Sequence, residues 1–454
     1  MPNRLYHRNM YRFGEPEPSY WEATQGDTEL AAEALVGNEQ CEVAIIGGGY
    51  TGLSAAYHLC RDHQVDVTVL EAGHIGWGAS GRNGGFCGLG GSSLDIDHMI
   101  RKYGVDETRK YYQSQVDAVE LVREIIREEN IDSQLQGDAE LNVACTPGAF
   151  EEVRHYADNR MRLLGLNATV LEREQFAERY FDFPDLHGAS TLQPTFGLHP
   201  MRYIRGLAAA AEKHGAFLRP HSEVIEWSSD GSSHVLTTRL GTLRARYVVL
   251  ATNGFTPEHL LPAFHARTMP IISAIVVTRP LSDDELAAHA WQTESPAITS
   301  YDLLNYFRIL PDKRFMWGGR GSSNGAPSGT ANNFVALIHR MHEVFPEWRD
   351  IDIEYRWHGL VCLTRRLTPA IGRLNDDPSV FFGFGYHGNG VNTATWAGKE
   401  ISDWLGGSRI GDRRAPRALP AVVNGMSGRF PLPSLRLLYV QARIAMFRFT
   451  DWLK

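Results

Sequence analysis

Cysteine is scarce in this chain, long apolar runs are missing, and basic charge is not in excess. The five cysteines, Cys41, Cys60, Cys87, Cys145 and Cys362, are an odd number without C-x-x-C spacing. That excludes a secreted disulfide framework and a cysteine-based zinc site, so no metal is expected. No stretch reaches the roughly 18 apolar residues of a spanning helix. Met1 to Tyr20 is polar and aromatic, without the apolar core of a signal peptide. A reducing cytoplasm is the expected setting. The 45 Lys and Arg are outnumbered by 53 Asp and Glu, for a formal net charge of −8. Nucleic acid, which calls for a basic stripe, is therefore not an expected partner. What remains is an ordinary globular composition, 43% hydrophobic and 22% charged, over 454 residues, enough for two domains with sizeable cores.

Residues Cys41 to Glu71 read as strand, tight glycine turn, helix and a second strand ending in an acid. The apolar run Val43 to Ile46 feeds Gly47-Gly48-Gly49-Tyr50-Thr51-Gly52, with Gly47, Gly49 and Gly52 in the G-x-G-x-x-G spacing. Gly47 permits the turn, Gly49 lets backbone N–H groups approach a pyrophosphate, and Gly52 lets the following helix pack close on the strand. The pyrophosphate then sits on the helix N-terminus. After the helix candidate Leu53 to Leu59, the β-rich run Val67 to Leu70 stops at Glu71. That acid lies 19 residues past Gly52, about where a carboxylate meets ribose hydroxyls. The stretch is a candidate dinucleotide-binding βαβ unit.

Downstream, Gly76-Trp77-Gly78-Ala79-Ser80-Gly81-Arg82-Asn83-Gly84-Gly85 is built of small residues that can lie against a flat ring system, with Ser80 and Arg82 as donors. A flexible glycine loop is the alternative. Together with Glu71-Ala72, this run resembles the FAD-binding segment of the D-amino-acid oxidase superfamily of flavoproteins, and within it the γ-glutamylputrescine oxidoreductases and related amine oxidases. The resemblance continues through Leu198-His199-Pro200, Ser222-Glu223-Val224 and Ala251-Thr252-Asn253-Gly254. It ends in Phe381 to Val391, a last strand with a glycine-rich turn into a helix. It implies FAD, non-covalently held, contacted by Gly47, Gly49, Tyr50, Thr51, Gly52, Glu71 and Ala72. Further contacts fall to Gly78, Ala79, Ser80, Arg82, Asn83, Gly84, Gly85, Val224, Thr252, Asn253 and Gly254, and at the last turn to Gly385, Tyr386, Gly388, Asn389, Gly390 and Val391.

Spread over the sequence in this way, the cofactor segments imply an α/β (α+β overall) fold: a discontinuous FAD-binding Rossmann-like domain, 38–95, 190–268 and 358–406, with an inserted antiparallel-sheet substrate domain, 96–189 and 269–357. Residues from about Leu94 to Phe183 are rich in helix formers. The runs Ile271-Ile272, Ile275 to Thr278, Tyr306 to Leu310 and Arg314 to Trp317 read as strands. An N-terminal arm, 1–37, precedes these domains, and 407–454 is a connector with a C-terminal amphipathic helix. There Leu437, Val440, Ile444 and Phe447 recur at helical spacing with Arg436, Arg443 and Arg448 nearby. Two placements are open for that helix: packing on the body or a second subunit, or lying on a membrane surface.

The activity the resemblance implies is oxidation of a C–N bond, by hydride transfer from the carbon beside an amine to flavin, with O₂ or another acceptor taking the electrons. The substrate is a small-molecule amine of γ-glutamylputrescine type. Alternatives are a glycine, sarcosine or aminophosphonate-type small anionic amine, and a non-catalytic flavin-binding partner subunit. His387 is the catalytic candidate, against a plain turn residue. Arg308, Arg320 and Arg366, the last beside Arg365, are candidates to clamp an anionic group by forked hydrogen bonds. Tyr301 and Tyr306 are candidate aromatic walls. Cys362 lies three positions off the cysteine that carries covalent flavin in some sarcosine oxidases. The lysine that serves oxygen there falls at Trp317 or its neighbours.

Overall fold

A computed structural model describes residues 4–301, 303–410, 418–442 and 446. Its strands sort into two large sheets and one small ribbon. The first sheet runs in the order Ala370–Arg373, Val380–Phe384, Gly241–Leu250, Gly37–Ile46, Val67–Leu70, Phe217–Arg219. Its five strands from Val380–Phe384 to Phe217–Arg219 pair in parallel. Parallel strands covered on both faces read as continuous apolar runs, and Val43 to Ile46, aligned with Val67 to Leu70, are all buried. The helix Tyr50–His63 is buried from Tyr50 to Cys60 and crosses the long helix Gly390–Ile410. The chain leaves Gly37–Ile46 on one side toward Val67–Leu70 and returns on the other as Gly241–Leu250. That switch point opens a crevice at the strands' carboxyl ends.

The second sheet has the order Ile353–Thr364, Thr268–Pro280, Arg314–Arg320, Tyr306–Ile309, Ala297–Thr299, Glu140–Ala144, Gly188–Gln193, Asn167–Leu171. All its pairs are antiparallel except Ala297–Thr299 with Glu140–Ala144. One face carries an aromatic core in which Phe307, Phe315, Trp317, Phe345 and Trp348 pack together against the helix Pro327–Val344. The opposite face looks toward the crevice.

Three expectations shift. The segment read as helical does hold Ile96–Tyr103, Val105–Glu128, Pro147–Leu164 and Arg173–Arg179. It also supplies two strands, because Glu140-Leu141-Asn142-Val143 alternates and finds a partner in Gly188–Gln193. The strands Gly188–Gln193 and Ile353–Thr364 belong wholly to the second sheet, so boundaries at 189/190 and 357/358 cut through strands. In the tail, residues 436–442 are helical. Arg436 pairs with Glu258, Leu437 packs beside Tyr6 and Ile272, and Val440 packs on Met269. That turn sits on the body; Arg443, Ile444, Phe447 and Arg448 lie outside the described residues. No described helix is long and apolar enough to cross a membrane.

Candidate active site

A cavity of about 650 Å³ runs from the carboxyl ends of the parallel strands to the second sheet's inner face. Its floor is the first glycine turn. Gly47 has φ +110°, and a Cβ there would stand 2.8 Å from the Ala251 carbonyl oxygen; a Cβ on Gly52 would stand 2.0 Å from that of Gly47. Only glycine allows the turn and the helix to come this close. The helix Tyr50–His63 follows Gly49, an N-cap with no capping side chain, so the first-turn N–H groups after Tyr50, whose own N–H goes to Ser80, can face an anion. Glu71 accepts hydrogen bonds from the Gly48 N–H at 2.7 Å and the Gly73 N–H at 2.9 Å. Burial raises its pKa while those two N–H groups pull it down.

The second glycine loop forms a side wall. Ser80 Oγ accepts from the Tyr50 N–H at 3.0 Å. Asn83 braces the loop from within, donating to Ser80 O at 2.9 Å and accepting from the Gly85 N–H at 2.8 Å. Arg82 donates to Trp77 O at 2.6 Å and to Glu17 at 3.0 Å. Its second terminal nitrogen is buried with no hydrogen-bond partner among the described residues. Opposite, Thr51 Oγ1 and Tyr386 Oη are 2.6 Å apart, tying the first turn to the last. Asn253 accepts from the Gly385 N–H at 2.9 Å.

The cavity wall brings together most residues singled out in the sequence. Gly47, Gly49, Tyr50, Thr51, Glu71 and Ala72 line it, as do Gly78, Ala79, Ser80, Arg82, Asn83 and Gly84. Val224, Thr252, Asn253, Tyr386, Gly388, Asn389, Gly390 and Val391 complete that set. Gly52, Gly85, Gly254 and Gly385 stand one layer behind, as packing positions. His387 lines the cavity, yet both ring nitrogens are engaged: Nδ1 with Ser93 Oγ at 2.8 Å, and Nε2 accepting from the Thr364 N–H at 3.3 Å. Burial, with Arg366 adding to it, brings its pKa down to about 3, so the ring is neutral and serves the turn.

The proposed substrate residues divide. Tyr306 lines the cavity, its hydroxyl 2.9 Å from Ser273 Oγ, and Arg320 lines it as well. Arg308 does not. It is buried behind Gly85, donating to Gln136 at 2.8 Å and to Leu198 O at 2.6 Å, and burial lowers its pKa to about 9. Arg366 clamps the Thr364 to Pro369 turn onto the carbonyls of Val423 and Asn424. Tyr301 lies beneath Arg340, 4.1 Å from its guanidinium, against the aromatic core. Trp317 points into that core too. Arg308 shares the face of Tyr306 but lies farther along it, behind Gly85, whereas Trp317 and Tyr301 go to the aromatic core and Arg366 folds back onto its own turn.

Sequence reasoning passed over Glu140, Ser273 and Ile298 on the second sheet, and Arg4 and Phe13 on the N-terminal arm, which all line the cavity. The alternation around Glu140 was the available signal. For the arm none existed: Arg4 reaches Glu223 and covers Tyr11 and Phe13 only through tertiary contacts.

A glycine turn at a helix start, an acid at the end of the next strand and a braced small-residue loop around one elongated cavity define a dinucleotide-binding oxidoreductase site. Residues 42–404 match the model of the DAO family, FAD dependent oxidoreductase. The chain is 31% identical over 373 residues to gamma-glutamylputrescine oxidoreductase of Escherichia coli (strain K12), covering 81% of this chain and 84% of that protein. It is 22% identical to glycine oxidase of Bacillus subtilis (strain 168), over 80% of this chain and 92% of that protein. Among solved structures, glycine oxidase from Geobacillus kaustophilus superposes with a TM-score of 0.67 at 22% identity, covering 80% of this chain and 94% of that one. The chain belongs to the DAO family of FAD-dependent oxidoreductases; its cofactor is FAD, and it is an enzyme acting on amine or amino-acid C–N donors.

Proposed function

We propose that the chain oxidises a primary alkylamine of γ-glutamylputrescine type at the carbon beside nitrogen, giving an imine that hydrolyses to aldehyde and ammonia. The relative of 31% identity, matched over most of both chains, carries this reading. When bound, FAD supplies the hydride acceptor. Glu71 would take the ribose hydroxyls, and the uncapped start of Tyr50–His63 the pyrophosphate. Arg82, with its unpartnered nitrogen, and the Ser80 to Gly84 backbone would hold the ring system. Asn389 to Val391 set the amino end of the helix Gly390–Ile410 against it, where a helix dipole favours negative charge.

On the other side of the cavity Tyr306, Ser273 and Ile298 would roof the substrate, and Ile271, Ile275 and Leu360 would exclude water. The glycine-type alternative rested on four arginines, and only Arg320 of Arg308, Arg320, Arg365 and Arg366 lines the cavity. Non-covalent FAD is supported by Cys362: it lines the cavity, but burial pushes its thiol up to about 12, which leaves almost no thiolate to attack a flavin. Anaerobic titration of the yellow holoenzyme with γ-glutamylputrescine tests the reading. Bleaching of the flavin band is expected; a band unchanged at millimolar amine would sink it.

A further inference from the structure

Among the described residues, the charged side chains that the second sheet's strands bring to the cavity are Glu140 and Arg320. Glu140 opens the strand Glu140–Ala144, whose Leu141 and Val143 enter the aromatic core, so Glu140 projects the other way, into the cavity. Its Oε2 lies 2.7 Å from where a Cβ on Gly88 would stand, and Asn389 Oδ1 lies 3.9 Å from that point. The carboxylate therefore faces the segment Gly88 to Gly90 and the start of the helix Gly390–Ile410. Its surroundings there are neutral: Asn389 and Asn392 donate to Gly88 O at 2.8 and 3.0 Å, and Tyr111 donates to Gly90 O at 2.6 Å. Among the described residues no cation comes within ion-pair distance of it. Burial raises its pKa, partly offset by the more distant Arg160 and the amide of Asn142. A carboxylate held in this way is costly alone, and an arriving ammonium relieves the cost and draws its pKa back down.

Arg320 occupies the far corner of the same face. Asn142, Ile298, Tyr306 and Gly318 form one cross-strand row. Glu140 stands two residues off that row in one direction and Arg320 two residues off in the other. With about 3.3 Å per residue and about 4.8 Å per strand, their Cα atoms are roughly 20 Å apart along the ladder. Side chains stand roughly perpendicular to a sheet, so the two charged groups stay well apart across the cavity. An α-amino acid, whose charges flank a single carbon, cannot bridge that gap, and its carboxylate would be repelled beside Glu140.

We infer that Glu140 is the ammonium-binding residue of this cavity, selecting an alkylamine whose anionic group lies remote from the reacting carbon, toward Arg320, and rejecting α-amino acids. The inference rests on the amine-oxidoreductase reading and adds the charge pattern of the substrate to it. The test uses the FAD holoenzyme, with n-butylamine, 1-butanol, sarcosine and γ-glutamylputrescine as probes and the flavin band as readout under anaerobic conditions. The wild type is expected to bind n-butylamine at least about 30-fold tighter than its neutral isostere 1-butanol, and Glu140→Gln to lose that margin. Glu140→Asp, which keeps the charge, recovers most of it. Equal affinity of the wild type for amine and alcohol, or Glu140→Gln binding n-butylamine within threefold of wild type, would overturn the inference. So would reduction of the wild type by sarcosine as readily as by n-butylamine. The wild-type amine and alcohol comparison decides even if Glu140→Gln fails to retain FAD. If γ-glutamylputrescine bleaches wild type and Glu140→Gln at equal affinity, the substrate reading stands and the role of Glu140 falls. If it bleaches neither while n-butylamine discriminates between them, Glu140 stands and the substrate assignment falls.

Discussion

At the carboxyl ends of the parallel strands the cavity wall is mostly backbone, whereas on the second sheet it is mostly side chain. The first wall is made by Gly47 to Thr51, Ala251 to Asn253 and Gly388 to Gly390, where Gly47, Gly48, Gly49, Gly388 and Gly390 let main-chain groups meet the cofactor. The second is made by Glu140, Ser273, Ile298, Tyr306 and Arg320, brought to one face from five strands. The backbone wall suits a cofactor common to the whole family. The side-chain wall can change residue by residue without disturbing the fold, which is where substrate choice belongs.

The largest break in this comparison is expected at Gly52. A Cβ placed 2.0 Å from Gly47 O forces the helix off the strand, so Gly52→Val should weaken FAD at least about 100-fold, or about 3 kcal/mol. The flavin-to-protein absorbance ratio of the purified variant measures it, and a fully yellow Gly52→Val would refute the close-packing argument.

Two arginines sharpen the contrast. Arg308→Met removes a buried cation and strands the groups it bonded, with an expected loss of about 2–4 kcal/mol of stability and little change in KM of the folded fraction. Arg320→Met should do the reverse, raising KM for an amine with a remote anionic group about tenfold while the melting temperature moves by about 2 °C or less. Parallel thermal melts and steady-state kinetics would expose an exchange of the two roles.

A smaller effect follows from His387. Its folded pKa of about 3 lies below the ordinary 6.5, so the unfolded chain binds the proton more readily between those values. The contribution is present above about pH 6.5 and is lost as pH falls toward 3. His387→Asn, which tolerates the left-handed φ of +52°, should flatten that part of the stability curve while leaving the pH dependence of kcat near neutrality unchanged. A lost neutral limb in the kcat profile would restore a catalytic role. The smallest effect is predicted for Cys362→Ser: FAD content unchanged, and acid precipitation releasing the flavin from wild type and variant alike. Flavin retained in the wild-type pellet alone would show a thioether.

Local chemistry by itself determined the cofactor half. Gly47, Gly49, Gly52 and Glu71 lie within one βαβ unit, where spacing fixes both the turn and the direction of each group, and family membership followed from segments of the same kind. The second half of the site was decided by tertiary structure. Whether Arg308 or Arg320 meets the cavity depends on which end of a strand lies under the Gly84-Gly85 loop, while Tyr301 and Trp317 went to the aromatic core on the other face and Arg366 to its own turn. Glu140 was hidden in a helix-rich stretch, because its strand exists only through pairing with Gly188–Gln193 and Ala297–Thr299. Alternation along a strand tells which residues share a face; only the packing of one sheet against the other tells what that face sees.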